Sequence, residues 1–131
     1  MSNKSMGNHF EREFCESLYD KGFWVHNLAQ NASGQPADVI AARNGEAYLI
    51  DCKVCSTNKG FAISRIEDNQ YLAMRVWEEK GNKSCYFAIK FEGEIYMIPF
   101  AELRAYYGSY YTPDKLRSSL TLNEWLKKVA S

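Results

Sequence analysis

Asn44-Gly45 narrows the fold of this chain more than any other feature, because this pair best suits the two-residue type I′ turn of a β-hairpin. It lies between two runs with strand character, Ala37–Arg43 and Glu46–Val54. A two-residue turn fixes the register of both arms: Arg43 faces Glu46, Ala42 faces Ala47 and, at the far end, Asp38 faces Asp51. Two carboxylates opposed on one sheet face, with Cβ atoms roughly 5 Å apart, repel one another. A compensating charge is therefore expected, and a hard divalent cation such as Mg²⁺, which takes oxygen ligands, is the natural one. Lys53 projects to the same face as Asp51 because side chains alternate along a strand.

Upstream, Phe10, Phe14 and Leu18 repeat at helical spacing over Gly7–Lys21, and Gly22 is placed to end that helix. Glu11 belongs with Phe14, Cys15 and Leu18 at spacings of three, four and seven, so it edges the apolar stripe, whereas Glu13 and Glu16 look outward. A carboxylate beside buried apolar groups costs free energy unless it is paired or bound to metal. Glu11 is thus a third candidate ligand.

The rest of the chain predicts a strand over Phe23–Leu28, a polar loop over 29–36 and another loop over Thr57–Gly60. A helix should open on a Ser64/Glu67 capping box and stop at Gly81. A second hairpin, Ser84–Phe91 and Glu94–Phe100, turns at Glu92-Gly93. A short helix over 101–107, an aromatic loop and a last helix over Leu122–Val129 complete the chain. The order α-β-β-β-α-β-β indicates one α/β domain with a central mixed sheet flanked by helices. Residues 1–6 are expected to form a flexible tail and 7–131 the domain, with a core over 7–100 and a C-terminal extension over 101–131.

The second helix carries Ile66, Gln70, Ala73, Met74 and Trp77 on one face, and Gln70 interrupts that stripe as a residue able to orient water or touch a phosphate. Each of these polar residues also has a plainer explanation: Asp38 could begin a solvated edge, Glu11 could be one more surface acid, and Lys53 could simply pair with Asp51. Their convergence by separate arguments is what favours a metal site.

Composition neither demands nor forbids a nucleic-acid partner. With 16 basic and 16 acidic residues among 131 the formal charge is zero, short of the excess expected of a protein living on phosphate contacts. Carboxylates that hold a cation stop repelling phosphate, however. The four cysteines, Cys15, Cys52, Cys55 and Cys85, follow neither a signal-peptide pattern nor a long apolar span, so reduced thiols in a cytoplasmic, non-membrane protein are expected. A zinc site built on Cys52, Cys55, His9 and His26 is disfavoured, because alternation sends the two cysteines to opposite faces. Tyr106, Tyr107, Tyr110 and Tyr111 suit core packing first, with base stacking or a subunit interface as alternatives.

The sequence Glu11, then Pro36-Ala37-Asp38, then Asp51-Cys52-Lys53 resembles the PD-(D/E)xK nuclease signature, with one residue inserted between Pro and Asp. Gly7-x-x-x-Glu11-Arg12-Glu13, Gly22-Phe23-x-Val25, Asn31-Ala32-Ser33-Gly34 and Tyr48-Leu49-Ile50-Asp51-Cys52-Lys53-Val54 resemble the corresponding stretches of archaeal-type Holliday junction resolvases. The likeness covers residues 7–100. It departs at Asp51, where these resolvases usually carry Glu, and after Phe100. It implies a restriction-endonuclease-like core and structure-selective DNA hydrolysis. Glu11, Asp38, Asp51 and the Cys52 backbone carbonyl would hold Mg²⁺, with Mn²⁺ as a substitute, and Lys53 would assist catalysis. Ser33, Lys59, Arg65 and Gln70 would contact DNA, and the two-fold symmetry of a four-way junction implies a homodimer. Another endonuclease of the superfamily, restriction-like or repair, and a non-catalytic DNA-binding module are the alternatives.

Overall fold

The Asn44-Gly45 turn has positive φ at both residues, 54° and 80°, as a type I′ hairpin requires. In this computed structural model, which describes residues 3–28 and 35–129, the turn joins β2 (Val39–Arg43) to β3 (Glu46–Cys55). The register runs from Arg43 opposite Glu46 to Val39 opposite Ile50, the one predicted. β2 starts at Val39 rather than Ala37, so the ladder closes one pair short of Asp38 and Asp51. That shortfall creates the site described below.

β1 (Trp24–Asn27) pairs antiparallel with β2. β5 (Tyr86–Phe91) runs parallel to β3, and β6 (Glu94–Pro99) returns antiparallel through a second positive-φ turn at Glu92-Gly93. The five-stranded sheet has the order β1-β2-β3-β5-β6, the expected mixed sheet.

Helices cover its two faces. On one, α1 (Asn3–Asp20) buries Phe10, Phe14 and Leu18 against Val39, Ala41, Ile50 and Cys52. α5 (Leu122–Val129) joins this cluster through Trp125, whose ring lies 5.4 Å from those of both Tyr48 and Tyr86. On the other face, α2 (Asp68–Glu79), α3 (Phe100–Arg104) and α4 (Pro113–Arg117) supply Met74, Phe100, Leu103 and Leu116 to a cluster with Leu49, Phe87 and Ile89. The segment after Phe100 therefore contributes to both halves of the core. No described helix is long and apolar enough to cross a membrane.

Other segments also differ from expectation. α1 begins at Asn3, inside the stretch expected to be a tail, because a polar turn can extend a helix without any apolar signal. α2 begins at Asp68, with Glu67 and Gln70 forming its capping box; Ser64 lies instead in a 3₁₀ turn over Ile63–Arg65. The aromatic loop contains β7 (Tyr110–Tyr111), which pairs with β4 (Phe61–Ala62) as a second, two-stranded sheet. Gly60 permits that approach: a Cβ there would stand 2.2 Å from the Tyr111 carbonyl oxygen. α4 also lies within the expected loop, capped by the Thr112 side chain with Pro113 in its first turn.

Candidate active site

Because β2 has not yet begun at Asp38, the edge of β3 beside it lacks a ladder partner, and the Asp38 side chain fills the gap. Its Oδ2 accepts the Cys52 N–H at 2.8 Å, while its backbone carbonyl accepts the Leu28 N–H at 2.7 Å and ties the end of β1 to the same point. The N–H and C=O of one strand residue face the same edge, so the Cys52 carbonyl also points toward Asp38.

Asp51 is fully buried on the sheet face covered by α2. Its Oδ1 accepts from Gln70 Nε2 at 2.8 Å. Its Oδ2 faces Lys53 Nζ at 3.2 Å without a well-aligned hydrogen bond. Glu11 arrives from the opposite side of the sheet. α1 packs on the Cys52 face, and the half-buried Glu11 side chain reaches the open start of β2, where it is hydrogen-bonded to Asp38. Asp38 is within hydrogen-bonding reach of Asp51 as well. Glu11, Asp38 and Asp51 thus meet around Asp38, with Lys53 adjacent to Asp51.

Burial is the main cause that pushes the Glu11 carboxyl up to about 8, followed by its hydrogen bond to Asp38 and that residue's negative charge. Burial likewise leads for Asp51, raised to about 8, with the Asp38 charge next and Lys53 opposing. Neighbouring negative charge and burial therefore favour the protonated forms of Glu11 and Asp51 in the absence of a bound cation. Among the described residues, no three His, Cys, Asp or Glu side chains are placed to hold a metal ion as they stand. The donor set nevertheless suits a hard divalent ion: all acidic oxygens, a backbone carbonyl on the same edge, and in Asp51 Oδ2 a buried oxygen paired with the Lys53 ammonium at 3.2 Å.

The remaining predicted residues separate. Ser33 lies outside the described residues. Lys59 and Arg65 are exposed beside β4; Arg65 donates to the Val54 carbonyl at 2.9 Å and stacks over Phe61, and Lys59 sits 6.0 Å from the Tyr110 ring. Gln70 has both ends of its amide engaged within the chain, since Oε1 also accepts the Glu67 N–H at 3.4 Å. Its link to Asp51 could be anticipated only as a polar break in an apolar stripe. Gln70→Ala is expected to destabilise the protein by about 1–3 kcal/mol, as a buried carboxylate oxygen and the helix cap lose their partner. A urea melt measures this, and an unchanged midpoint would contradict it.

Cys52 belongs to the α1-side cluster and Cys55 to the other, so they point away from one another. Tyr111 is buried and Tyr106 packs on the core, whereas Tyr107 is 82% exposed.

Three comparisons bear on this geometry. A family model described as archaeal Holliday junction resolvase (hjc) matches residues 2–131. A protein of Methanocaldococcus jannaschii named crossover junction endodeoxyribonuclease Hjc is 37% identical over 95 residues, covering 72% of this chain and 66% of the relative. The solved structure of Archaeoglobus fulgidus Hjc, a Holliday junction resolvase, superposes with a TM-score of 0.70 at 17% identity, over 92% of this chain and 98% of that one. The third likeness concerns the fold alone. With the family model spanning nearly every residue, this chain belongs to the archaeal Holliday junction resolvase family.

Proposed function

We propose that the chain is a divalent-metal-dependent endonuclease that resolves four-way DNA junctions by phosphodiester hydrolysis, acting as a homodimer inside the cell. The observation that supports this reading is that Glu11 and Asp51 each neighbour Asp38, with Lys53 beside Asp51.

Glu11, Asp38, Asp51 and the Cys52 carbonyl would hold Mg²⁺, or Mn²⁺ in its place. Such an ion, when bound, polarises a phosphate and lowers the pKa of water. Lys53 supplies a positive charge on the same face, suited to orient the attacking water or to steady charge on the phosphate as the P–O bond breaks. Gln70 holds Asp51 in one orientation by its amide. Lys59 and Arg65, exposed beside β4, are proposed as strand contacts, with Ser33 a further one. A four-way junction has two-fold symmetry and must be cut on two strands, which a dimer of identical subunits matches.

The test is direct. The protein is incubated with Mg²⁺ and a four-way junction, and in parallel with a linear duplex of the same sequence; sedimentation gives the oligomeric state. Paired cuts in the junction alone are expected, with none when EDTA replaces Mg²⁺. Equal cutting of the duplex would transfer the reading to another endonuclease of the superfamily, and tight binding without cutting to a DNA-binding module.

A further inference from the structure

β1 forms one edge of the five-stranded sheet, and its residues alternate between the two faces. Val25, opposite Ala41, packs into the α1-side cluster. Trp24 and His26, opposite Ala42 and Ile40, therefore point to the other face, the one that carries Asp38, Asp51 and Lys53. Met74 of α2 packs into the cluster that holds Leu49, Phe87 and Ile89 on this face, whereas the β1 residues Trp24 and His26 are exposed. Trp24 is 62% exposed there, and its ring lies nearly parallel to that of His26, at 10° with centroids 5.9 Å apart.

We propose that the Trp24–His26 pair is a stacking platform for an unpaired nucleobase close to the cut site. The inference rests on the nuclease reading above. Two features of the fold point to a base as occupant. The first is continuity: Ile40, which faces His26, is in turn opposite Leu49, two residues before Asp51. Two strand spacings across and two residues along place His26 about 12 Å from Asp51, roughly three or four base steps at ~3.4 Å each. The second is the exposure of the pair: Trp24 and His26 are both exposed, with their ring planes nearly parallel. A base presents the complementary π-face whatever its sequence, which suits an enzyme that recognises structure. In a continuous duplex the bases are stacked on one another and unavailable, whereas at a branch point they can be displaced. The platform would thereby favour branched over linear DNA.

The test uses the cleavage-deficient Asp51→Asn protein, with and without Trp24→Ala, and a junction carrying 2-aminopurine within four nucleotides of the branch. Stacking on Trp24 should quench the probe on binding. Trp24→Ala is expected to lose that quench and to bind the junction about tenfold more weakly, with duplex binding unchanged and Trp24→Phe intermediate. His26→Ala should give a smaller loss. Equal affinity and equal quench in Trp24→Ala would overturn the proposal. So would a change in sedimenting mass with the probe signal intact, which would make this face a contact between copies of the chain. A single-stranded oligonucleotide carrying the same probe forms a second arm. Quenching there that depends on Trp24, with no preference for the junction, would show that the resolvase reading had failed and the platform had not.

Discussion

Asp51→Asn is expected to reduce junction cutting by at least ~10³-fold, equivalent to about 4 kcal/mol of transition-state stabilisation, while junction affinity stays within a few-fold. Single-turnover cleavage and a binding titration give the two quantities. The change keeps the shape of a fully buried side chain and the acceptor for Gln70 Nε2, but removes the negative charge that would hold a cation. A second effect follows in the opposite direction. The carboxyl of Asp51 is raised from 3.8 to about 8, so below its unfolded value the folded state suffers no penalty from it. Between that value and about 8 the unfolded chain releases a proton that the folded one keeps, so stability falls as pH rises, and the loss is complete above about 8, where the buried group ionises. An amide never ionises, so the metal-free variant is expected to melt several degrees above the unsubstituted protein at pH 9. Saturating Mg²⁺ should reverse that order, because binding stabilises only the protein that retains the ligand. If thermal scans show neither the alkaline advantage nor the reversal, Asp51 is not the buried cation ligand proposed.

Much of this site was legible in the sequence because two of its three carboxylates lie on one local hairpin. A turn of two residues leaves no freedom in register, so Asn44-Gly45 alone relates residues as distant as Asp38 and Asp51. Glu11 was legible for another reason, as a charge at the edge of the Phe14–Leu18 stripe. The pattern along the chain could not show that Glu11 lies across the sheet from Asp51 and meets it only where β2 has yet to begin. That depends on where β2 starts pairing, and Ala37 and Asp38 carry no signal that distinguishes strand from approach. The pairing of Phe61 with Tyr111 was illegible for a similar reason: two-residue strands far apart in sequence have no periodicity to read. α4 did carry a readable start in Thr112-Pro113-Asp114, masked by the four tyrosines beside it. At α2, Ser64 and Glu67 have capping-box spacing, yet the cap is one turn later, because Gln70 serves the helix end and Asp51 together.

Glu11→Gln and Glu13→Gln form the second decisive comparison, since the two residues lie on one helix and differ chiefly in the direction they face. Glu11 is half-buried and hydrogen-bonded to Asp38. Glu13 pairs with His9 at 2.7 Å and Lys90 at 3.7 Å, with nearly half its side chain exposed. Exposed pairs of that kind contribute about 0–1 kcal/mol, so Glu13→Gln should leave the cutting rate within about twofold and the melting temperature nearly unchanged. Glu11→Gln removes a proposed cation ligand and should slow cutting by about 10²–10³-fold, or roughly 3–4 kcal/mol. The metal-free protein should not be weakened by it, because an amide in that position is spared the cost of ionising beside Asp38. Raising Mg²⁺ separates a weakened site from a destroyed one: partial recovery at high concentration means that Asp38 and Asp51 still bind the ion and Glu11 adds affinity. Loss of cutting in Glu13→Gln with retention in Glu11→Gln would mean that α1 turns its other edge toward the reaction, and the site would have to be rebuilt around Glu13 and Lys90.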